Sequence, residues 1–335
     1  MHVSNRCHTW GDGTGSPVPH GWAGVSRLGQ VQEMSRHEGV APRTPSERVS
    51  HAELSVVIPC LNAAAGLARQ LEALRAQEWP HDWEVIVADN GSTDATRAIA
   101  ESYEKLLPSI RVVDAAQRRG RQHACNAGAR AGGKAIVFVD ADDEVAPGYL
   151  AAVGDALAEH PLVAARIDHM TLNNGWVLDG RSNAQGSALQ DGFGFLPFGS
   201  GGTLGVHHDV FDALGGFSDE MHYAEDVDFC WRAQLAGIPI HYVPDAALRY
   251  QYRASLRAMY SQHRNFGRGS ARLYRTYRDR GMSRRTSKVA VADWYGMAKS
   301  LIALRSRADC ARLARRAGRN VGRLEGSARL RVWFP

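Results

Sequence analysis

The feature of the sequence that most limits its fold is a regular alternation between short apolar runs and amphipathic helical segments. Four runs are rich in β-branched residues, as in buried parallel strands: residues 54–59, 84–88, 110–113 and 134–140. The first helical segment repeats Leu67, Leu71 and Leu74 on one face. This alternation predicts an α/β fold, a Rossmann-like and mainly parallel sheet with helices on both faces.

Composition divides the chain into three segments. Residues 1–53 are rich in Gly, Ser, Pro and His and lack apolar periodicity, so we predict a disordered leader. Residues 54–252, with 14 basic and 26 acidic side chains, form the predicted α/β domain. Residues 253–335 carry 21 basic and 4 acidic side chains in helical patterns, which predicts a basic, helical C-terminal extension.

The sequence also favours one cellular compartment. Its five cysteines are scattered and contain no C-x-x-C pair, so neither a disulfide framework nor a zinc site is indicated and a reducing environment is favoured. The sequence has no signal-peptide core and no apolar run of about 18 residues. We therefore predict a cytoplasmic protein that does not span a membrane.

Polar residues follow the predicted strands, where open α/β sheets bind ligands. The turn after the first strand, IPCLNAAAGL, lacks the G-x-G-x-x-G of dinucleotide enzymes, and no Walker phosphate loop occurs. Four acidic or amidic motifs occur instead. They are Pro59-Cys60-Leu61-Asn62, Asp89-Asn90-Gly91-Ser92-Thr93-Asp94, Asp140-Ala141-Asp142 and Glu225-Asp226.

In this order, the four motifs resemble those of the family 2 glycosyltransferases of GT-A fold, and the resemblance covers residues 54–250. It implies an enzyme that moves a sugar from a nucleotide-diphosphate sugar to an acceptor hydroxyl, with inversion and with a divalent metal, Mg²⁺ or Mn²⁺. Such hard cations prefer carboxylates and substrate phosphates. The resemblance also points to cell-envelope or polysaccharide biosynthesis, with a lipid-linked acceptor among the candidates.

The Asp-x-Asp motif follows the fourth strand. By resemblance, Asp142 is the metal ligand and Asp140 contacts the nucleotide ribose. The structural alternative is that these carboxylates and Asp143 only solvate a strand end and cap the helix that begins near Pro147, and Asp143 is the strongest candidate for a cap.

The first two strand ends supply further donor-binding candidates. By resemblance, Asp89 contacts the nucleobase or ribose, and Pro59 and Asn62 belong to the donor pocket. Asp89 is alternatively an Asx-turn residue before Gly91, and Asn62 is alternatively the N-cap of the first helix. We assign Asp94 to a structural role.

A basic turn precedes the third helix. There the family pattern matches Arg121, a candidate contact to the diphosphate, and Asn126, a candidate donor-binding residue. Arg118 and Arg119 are equally well explained as a solvated basic turn.

The acceptor half contains the Glu-Asp motif. By resemblance, Asp226 is the general base that deprotonates the acceptor hydroxyl, and Glu225 orients it or touches the acceptor. The alternative is that both residues only form an acidic first turn stabilised by the helix dipole. Many relatives place a metal-binding histidine after the next strand, whereas this chain has Arg249 and Arg253 there.

The basic extension predicts a surface partner. Leu313, Ala317, Val321 and Leu324 line one face of a helix that is otherwise rich in arginine, a pattern typical of helices that lie on anionic membranes. The alternative is an extension folded onto the acidic body. Nucleic acid binding through this extension is a rival function that the acidic strand ends argue against, and a nucleotidyltransferase is a rival that lacks its glycine-rich first loop.

Overall fold

The computed structural model describes residues 50–179, 181, 183–302 and 304–335. The predicted leader, residues 1–53, lies outside this part of the chain except for residues 50–53. The boundaries of the three predicted segments stay predictions.

The described residues form one eight-stranded sheet in the order β3-β2-β1-β4-β7-β6-β8-β5. Its strands are β1 (Leu54–Cys60), β2 (Trp83–Asp89), β3 (Ile110–Asp114), β4 (Ala135–Phe138), β5 (Glu144–Val145), β6 (Leu162–Asp168), β7 (Leu204–His207) and β8 (His241–Arg249). Strands β3, β2, β1 and β4 are parallel. Strand β7 is antiparallel to both β4 and β6, so the predicted parallel sheet is one half of a mixed sheet.

Nine α-helices surround the sheet in the described part of the chain. They are α1 (Ala64–Arg75), α2 (Thr96–Ser102), α3 (Arg121–Ala131), α4 (Tyr149–Glu159), α5 (His208–Ala213), α6 (Glu225–Leu235), α7 (Leu256–Tyr277), α8 (Ser287–Ile302) and α9 (Arg307–Leu330). None of the helices described here is long and apolar enough to cross a membrane.

Two apolar cores lie on the two faces of the sheet. Val57 of β1 belongs to the core shared with α3 and α6, and its neighbour Val56 to the core shared with α1 and α4. Helices on both faces are therefore confirmed, and the predicted leucine stripe of α1 is fully buried. Helix α2 ends at Ser102, and in the turn that follows Leu106 is 52% exposed while Leu107 is buried.

The C-terminal helices pack on the body. Helices α7 and α9 lie so close that a Cβ at Gly318 would stand 2.4 Å from the carbonyl oxygen of Tyr260. The α9 face predicted to be apolar points partly outward, with Leu324 37% exposed, and Arg312 forms an ion pair of 2.6 Å with Asp179 of the body. The alternative of an extension folded onto the body is the one observed for α9.

Candidate active site

The three motif-bearing strands β1, β2 and β4 end at the same edge of the sheet. The thiol of Cys60, the last residue of β1, lies among these ends: burial and the charges of Asp89 and Asp140 raise its pKa. Carboxylates from different strands therefore converge here, as expected for a ligand site at the carboxyl ends of parallel strands.

Arg121 joins two of the predicted site residues. Its Nε and Nη2 atoms donate to Oδ1 of Asp140 at 2.9 and 2.7 Å, and Nη1 lies 3.5 Å from Oε1 of Glu225. Burial disfavours the charge of Arg121, but the attraction of Asp140 and the other nearby negative groups prevails and raises its pKa. The guanidinium stays charged and links the Asp-x-Asp loop to the start of α6.

Two adjacent carboxyl groups begin α6. Burial, followed by the charge of Asp226, raises the pKa of Glu225 to about 7. Burial also raises the pKa of Asp226, although Arg121 and the Gly201 N–H, which donates to its Oδ2 at 2.8 Å, oppose the shift. Both groups thus titrate closer to neutral pH than ordinary carboxyl groups, a property found at sites of proton transfer.

A short 3₁₀ helix, Gly201–Thr203, forms one side of the site. A Cβ at Gly201 would stand 2.8 Å from Nη1 of Arg121, and a Cβ at Gly202 would stand 2.9 Å from Oδ2 of Asp140. A Cβ at either position would displace the end of a charged side chain that lies directly against the backbone.

Asp142 lies in the turn after β4 and is paired with an arginine. Its Oδ2 lies 3.0 Å from Nη1 of Arg253, and its side chain is 40% exposed. Burial and the charge of Asp140 raise its pKa, and Arg253 opposes the shift. Helix α1 approaches this turn closely, since a Cβ at Gly66 would stand 2.7 Å from the carbonyl oxygen of Ala141.

Asp143 does not cap a helix, so this expectation was wrong. Helix α4 begins after Gly148, whose φ of 77° is left-handed, and receives no side-chain cap. Asp143 is buried instead. Its Oδ1 accepts from the Gln251 N–H at 2.7 Å, and its Oδ2 has no hydrogen-bond partner in the described part of the chain. Burial and the charges of Asp140 and Asp142 raise its pKa.

Asn62 and Asp89 hold the loop after β2. Oδ1 of Asn62 accepts from the Thr93 N–H at 2.8 Å, and Oδ1 of Asp89 accepts from the Ser92 N–H at 3.0 Å. The Asx-type turn at Asp89 is therefore present. Asn62 is not the cap of α1: the Ala64 N–H donates to Asp94 at 3.1 Å instead. The donor contacts of both residues stay predictions, as does that of Pro59, a half-buried residue of β1.

Asn126 forms its hydrogen bonds with the backbone of Phe217. Its Nδ2 donates to the carbonyl of Phe217 at 2.8 Å, and its Oδ1 accepts from the Phe217 N–H at 2.9 Å. Both polar atoms of this buried side chain therefore hold the backbone of Phe217.

Sequence reasoning missed two residues of α1 that support the Asp-x-Asp loop. Gln70 donates to the carbonyl of Asp140 at 3.2 Å and accepts from the Val145 N–H at 2.9 Å, and Arg69 donates to the carbonyl of Asp142. The available signal was a glutamine on the leucine-bearing face of α1, where a polar group needs a partner.

Carboxylates and the half-buried guanidinium of Arg121 thus converge at the carboxyl ends of the parallel strands, where α/β enzymes bind their ligands. Residues 55–215 match the model of glycosyl transferase family 2. These residues form a domain of this family, as the motifs predicted, and the protein is a glycosyltransferase.

Two curated relatives extend the similarity beyond these residues. The chain is 28% identical over 260 residues to the succinoglycan biosynthesis protein ExoA of Rhizobium meliloti, covering 74% of this chain and 78% of that protein. It is 30% identical over 247 residues to a pre-mycofactocin glycosyltransferase of Mycobacterium tuberculosis, covering 69% of this chain. It spans about half of that second relative, 49%.

The fold also matches a solved structure. The mannosyltransferase PcManGT from Pyrobaculum calidifontis, in complex with GDP-Man and Mn²⁺, aligns with a TM-score of 0.55 and 18% identity over 91% of this chain and 95% of that one. The predicted GT-A fold is thereby confirmed.

Proposed function

We propose that this enzyme transfers a sugar, with inversion, from a nucleotide-diphosphate sugar to a hydroxyl acceptor. The observation that carries the proposal is the Arg121 guanidinium, which bridges Asp140 of the donor motif and Glu225 of the acceptor motif at 2.7 and 3.5 Å. Through this bridge the donor motif lies next to the acceptor motif, as a direct displacement requires. PcManGT, which has the same fold, binds the nucleotide sugar GDP-Man.

A divalent cation fits the residues at the donor end. Magnesium and manganese are commonly held by one or two carboxylates together with substrate phosphates. Asp142 offers one partly exposed carboxylate beside the strand ends, and the described residues contain no cluster of three or more ligating side chains that could hold the ion without substrate. When bound, the cation would neutralise the charge that develops on the leaving diphosphate.

The protein groups divide the remaining chemistry. Asp226 accepts the proton of the acceptor hydroxyl. The Gly201 N–H holds its carboxylate in place beside the Arg121 bridge. Glu225, with its pKa near 7, donates or accepts a hydrogen bond at the acceptor. Asp140 and Asp89 contact the ribose and base, while Pro59 and Asn62 shape the donor pocket. Asn126 supports the pocket by fixing Phe217.

Thermal unfolding in the presence of nucleotide sugars tests the donor assignment. A donor at about 100 times its dissociation constant adds about 2.7 kcal/mol to the free energy of unfolding. We expect at least one donor to stabilise the full chain in a manganese-dependent manner, and Asp142→Asn to remove the manganese dependence. Asp245→Asn, at an exposed carboxylate of β8, is the matched control. Failure of every donor to stabilise the wild type would refute the donor assignment.

We further propose that the enzyme works at the cytoplasmic face of an anionic membrane, on a lipid-linked acceptor. Helix α8 exposes an apolar surface, with Val291 67% and Ile302 89% exposed, and carries Lys288 and Lys299. Apolar side chains combined with basic ones fit an anionic bilayer surface. This surface replaces the face of α9 as the candidate contact.

Vesicle sedimentation tests this contact. We expect binding to phosphatidylglycerol vesicles that weakens in high salt and is lost in Ile302→Ser, because an exposed apolar contact is removed. The control Leu106→Ser changes an exposed leucine in the turn after α2 and should bind normally. Equal binding of the wild type to neutral and anionic vesicles would contradict the proposal.

A further inference from the structure

A second cluster of basic side chains lies between α7, α9 and the segment after the 3₁₀ helix Gly175–Val177. His263 comes from α7, Arg315 from α9 and Arg181 from that segment. His263 and Arg315 are deeply buried, with only 6% and 7% of their surfaces exposed, and Arg181 is half-buried.

Four nitrogen atoms of this cluster lack partners, whereas Nε of Arg181 donates to the carbonyl of Val177 at 2.8 Å. Nη1 of Arg315, Nη2 of Arg181 and both ring nitrogens of His263 are buried and form no hydrogen bond within the described ranges. The two guanidiniums are nevertheless held in place. Nη2 of Arg315 donates to the carbonyl of Asp179 at 2.8 Å, and Arg181 stacks 3.5 Å from the ring centre of Tyr252.

The cluster also carries the positive charge of two guanidiniums, which Asp179 balances only in part. Burial and the charges of Arg319, Arg181 and Arg315 lower the pKa of His263 to about 3. Burial and the neighbouring guanidinium of Arg181 lower the pKa of Arg315 to about 10. The adjacent carboxylate, Asp179, forms its ion pair with Arg312 at 2.6 Å. Buried guanidiniums that have N–H groups without partners are unfavourable unless an anion joins them.

We propose that the cluster of Arg181, His263 and Arg315 binds a phosphate group. A phosphate offers several acceptor oxygens to donors that come from different directions, and guanidiniums bind it with paired hydrogen bonds. Tyr250 and Tyr252 lie between this cluster and the acidic motif. Tyr252 carries Arg181 on its ring, and Tyr250 is buried where the charges of Asp143 and Asp140 raise its pKa. The cluster is thus separate from the donor site, and the proposal does not rest on the donor assignment.

Calorimetric titration of the full chain with inorganic phosphate, at pH 7 and constant ionic strength, tests the proposal. Arg315→Met should weaken binding about 10- to 100-fold, because a charge-assisted hydrogen bond is lost. Arg316→Met, at the adjacent exposed position of α9, is the matched control and should bind as the wild type does. Any phosphate held at the donor site is common to both variants, so equal affinities would overturn the proposal.

Two further measurements address a structural role and the source of the phosphate. In phosphate-free buffer, the melting temperature of Arg315→Met should be unchanged or higher, because a buried charge without a counterion is removed; a lower temperature with retained phosphate binding overturns the proposal. If Arg315→Met does not fold, Arg181→Met, outside the helices, replaces it.

Titration with dihexanoyl phosphatidic acid identifies the source of the phosphate. Binding at least tenfold more tightly than inorganic phosphate identifies a lipid headgroup, and equal binding identifies free phosphate. Binding of neither overturns the proposal.

Discussion

Replacing Asp226 by asparagine distinguishes a general base from a residue that only stabilises the start of α6. The substitution keeps the size of the side chain and one oxygen that can accept the Gly201 N–H, which lies 2.8 Å from Oδ2, while its amide group replaces Oδ1, which accepts from the Val227 N–H at 2.8 Å. It removes the carboxylate that would accept a proton. If Asp226 is the base, transfer slows about 10²- to 10⁴-fold, which corresponds to about 2.7 to 5.4 kcal/mol of transition-state stabilisation.

The expected change in stability is much smaller. The hydrogen bond from Gly201 loses its charge assistance and the one from Val227 is lost, a cost of about 1 to 3 kcal/mol, while the buried repulsion between Asp226 and Glu225 disappears. These two effects oppose each other. The melting temperature should therefore move little while the rate falls by orders of magnitude.

Single-turnover transfer with the donor found by thermal unfolding, together with calorimetric donor binding, is the assay. Donor affinity should persist in Asp226→Asn, because the base acts on the acceptor. Glu225→Gln is the comparison at the adjacent position and should slow transfer less. Transfer by Asp226→Asn at nearly the wild-type rate would refute the assignment of Asp226 as the general base. It would show that Asp226 only stabilises the start of α6, where asparagine serves nearly as well as aspartate.

Three further predictions concern the metal, the pH dependence and the helix packing. Asp142→Asn should abolish Mn²⁺ binding measured by electron paramagnetic resonance in the presence of donor, and unchanged binding would exclude Asp142 as a ligand. The pKa of Glu225, raised to about 7 in the folded state, means that the free energy of unfolding falls as pH rises from about 4.5 to 7, because the folded state retains the proton longer; Glu225→Gln should flatten this slope in denaturant titrations. Gly322→Ala should cost about 1 to 3 kcal/mol, because a Cβ would stand 1.9 Å from a carbonyl of α7, whereas Gly192→Ala, in open space, should cost almost nothing.

The parallel half of the fold was predictable because local sequence patterns encode its strands and helices. Strand β1 is a short apolar run with three adjacent β-branched residues, predicted over 54–59 and observed over Leu54–Cys60, and the leucines of α1 repeat with helical spacing. The antiparallel half was not. Strand β7 is LGVH, which contains a glycine, and β8 has exposed and buried residues without clean alternation. These strands depend on pairing partners distant in sequence.

The C-terminal helix was misjudged for a related reason. The apolar stripe of α9 suggested which face is buried, but Gly318 and Gly322 permit a backbone approach that side-chain polarity does not reveal. The buried face therefore contains Arg315 rather than Leu324. Hydrophobic patterning indicates the buried face only where side chains, and not glycines, form the contact.

The candidate site contains acidic groups that are already neutralised by arginines from other elements. Asp140 pairs with Arg121, and Asp142 pairs with Arg253, which is 111 residues away. Such pairs could not be predicted from spacing. We propose how an anionic donor would enter this acidic site: Asp142 would hold a divalent cation in place of Arg253, and the released guanidinium would turn to the diphosphate. Donor binding would thus replace the Asp142–Arg253 ion pair by two others, one between Asp142 and the cation and one between Arg253 and the diphosphate. No unpaired carboxylate would face the phosphates. Since exposed ion pairs are weakened by salt, and the Arg253 side chain is 53% exposed, we expect donor affinity to fall with ionic strength in the wild type and less steeply in Arg253→Met.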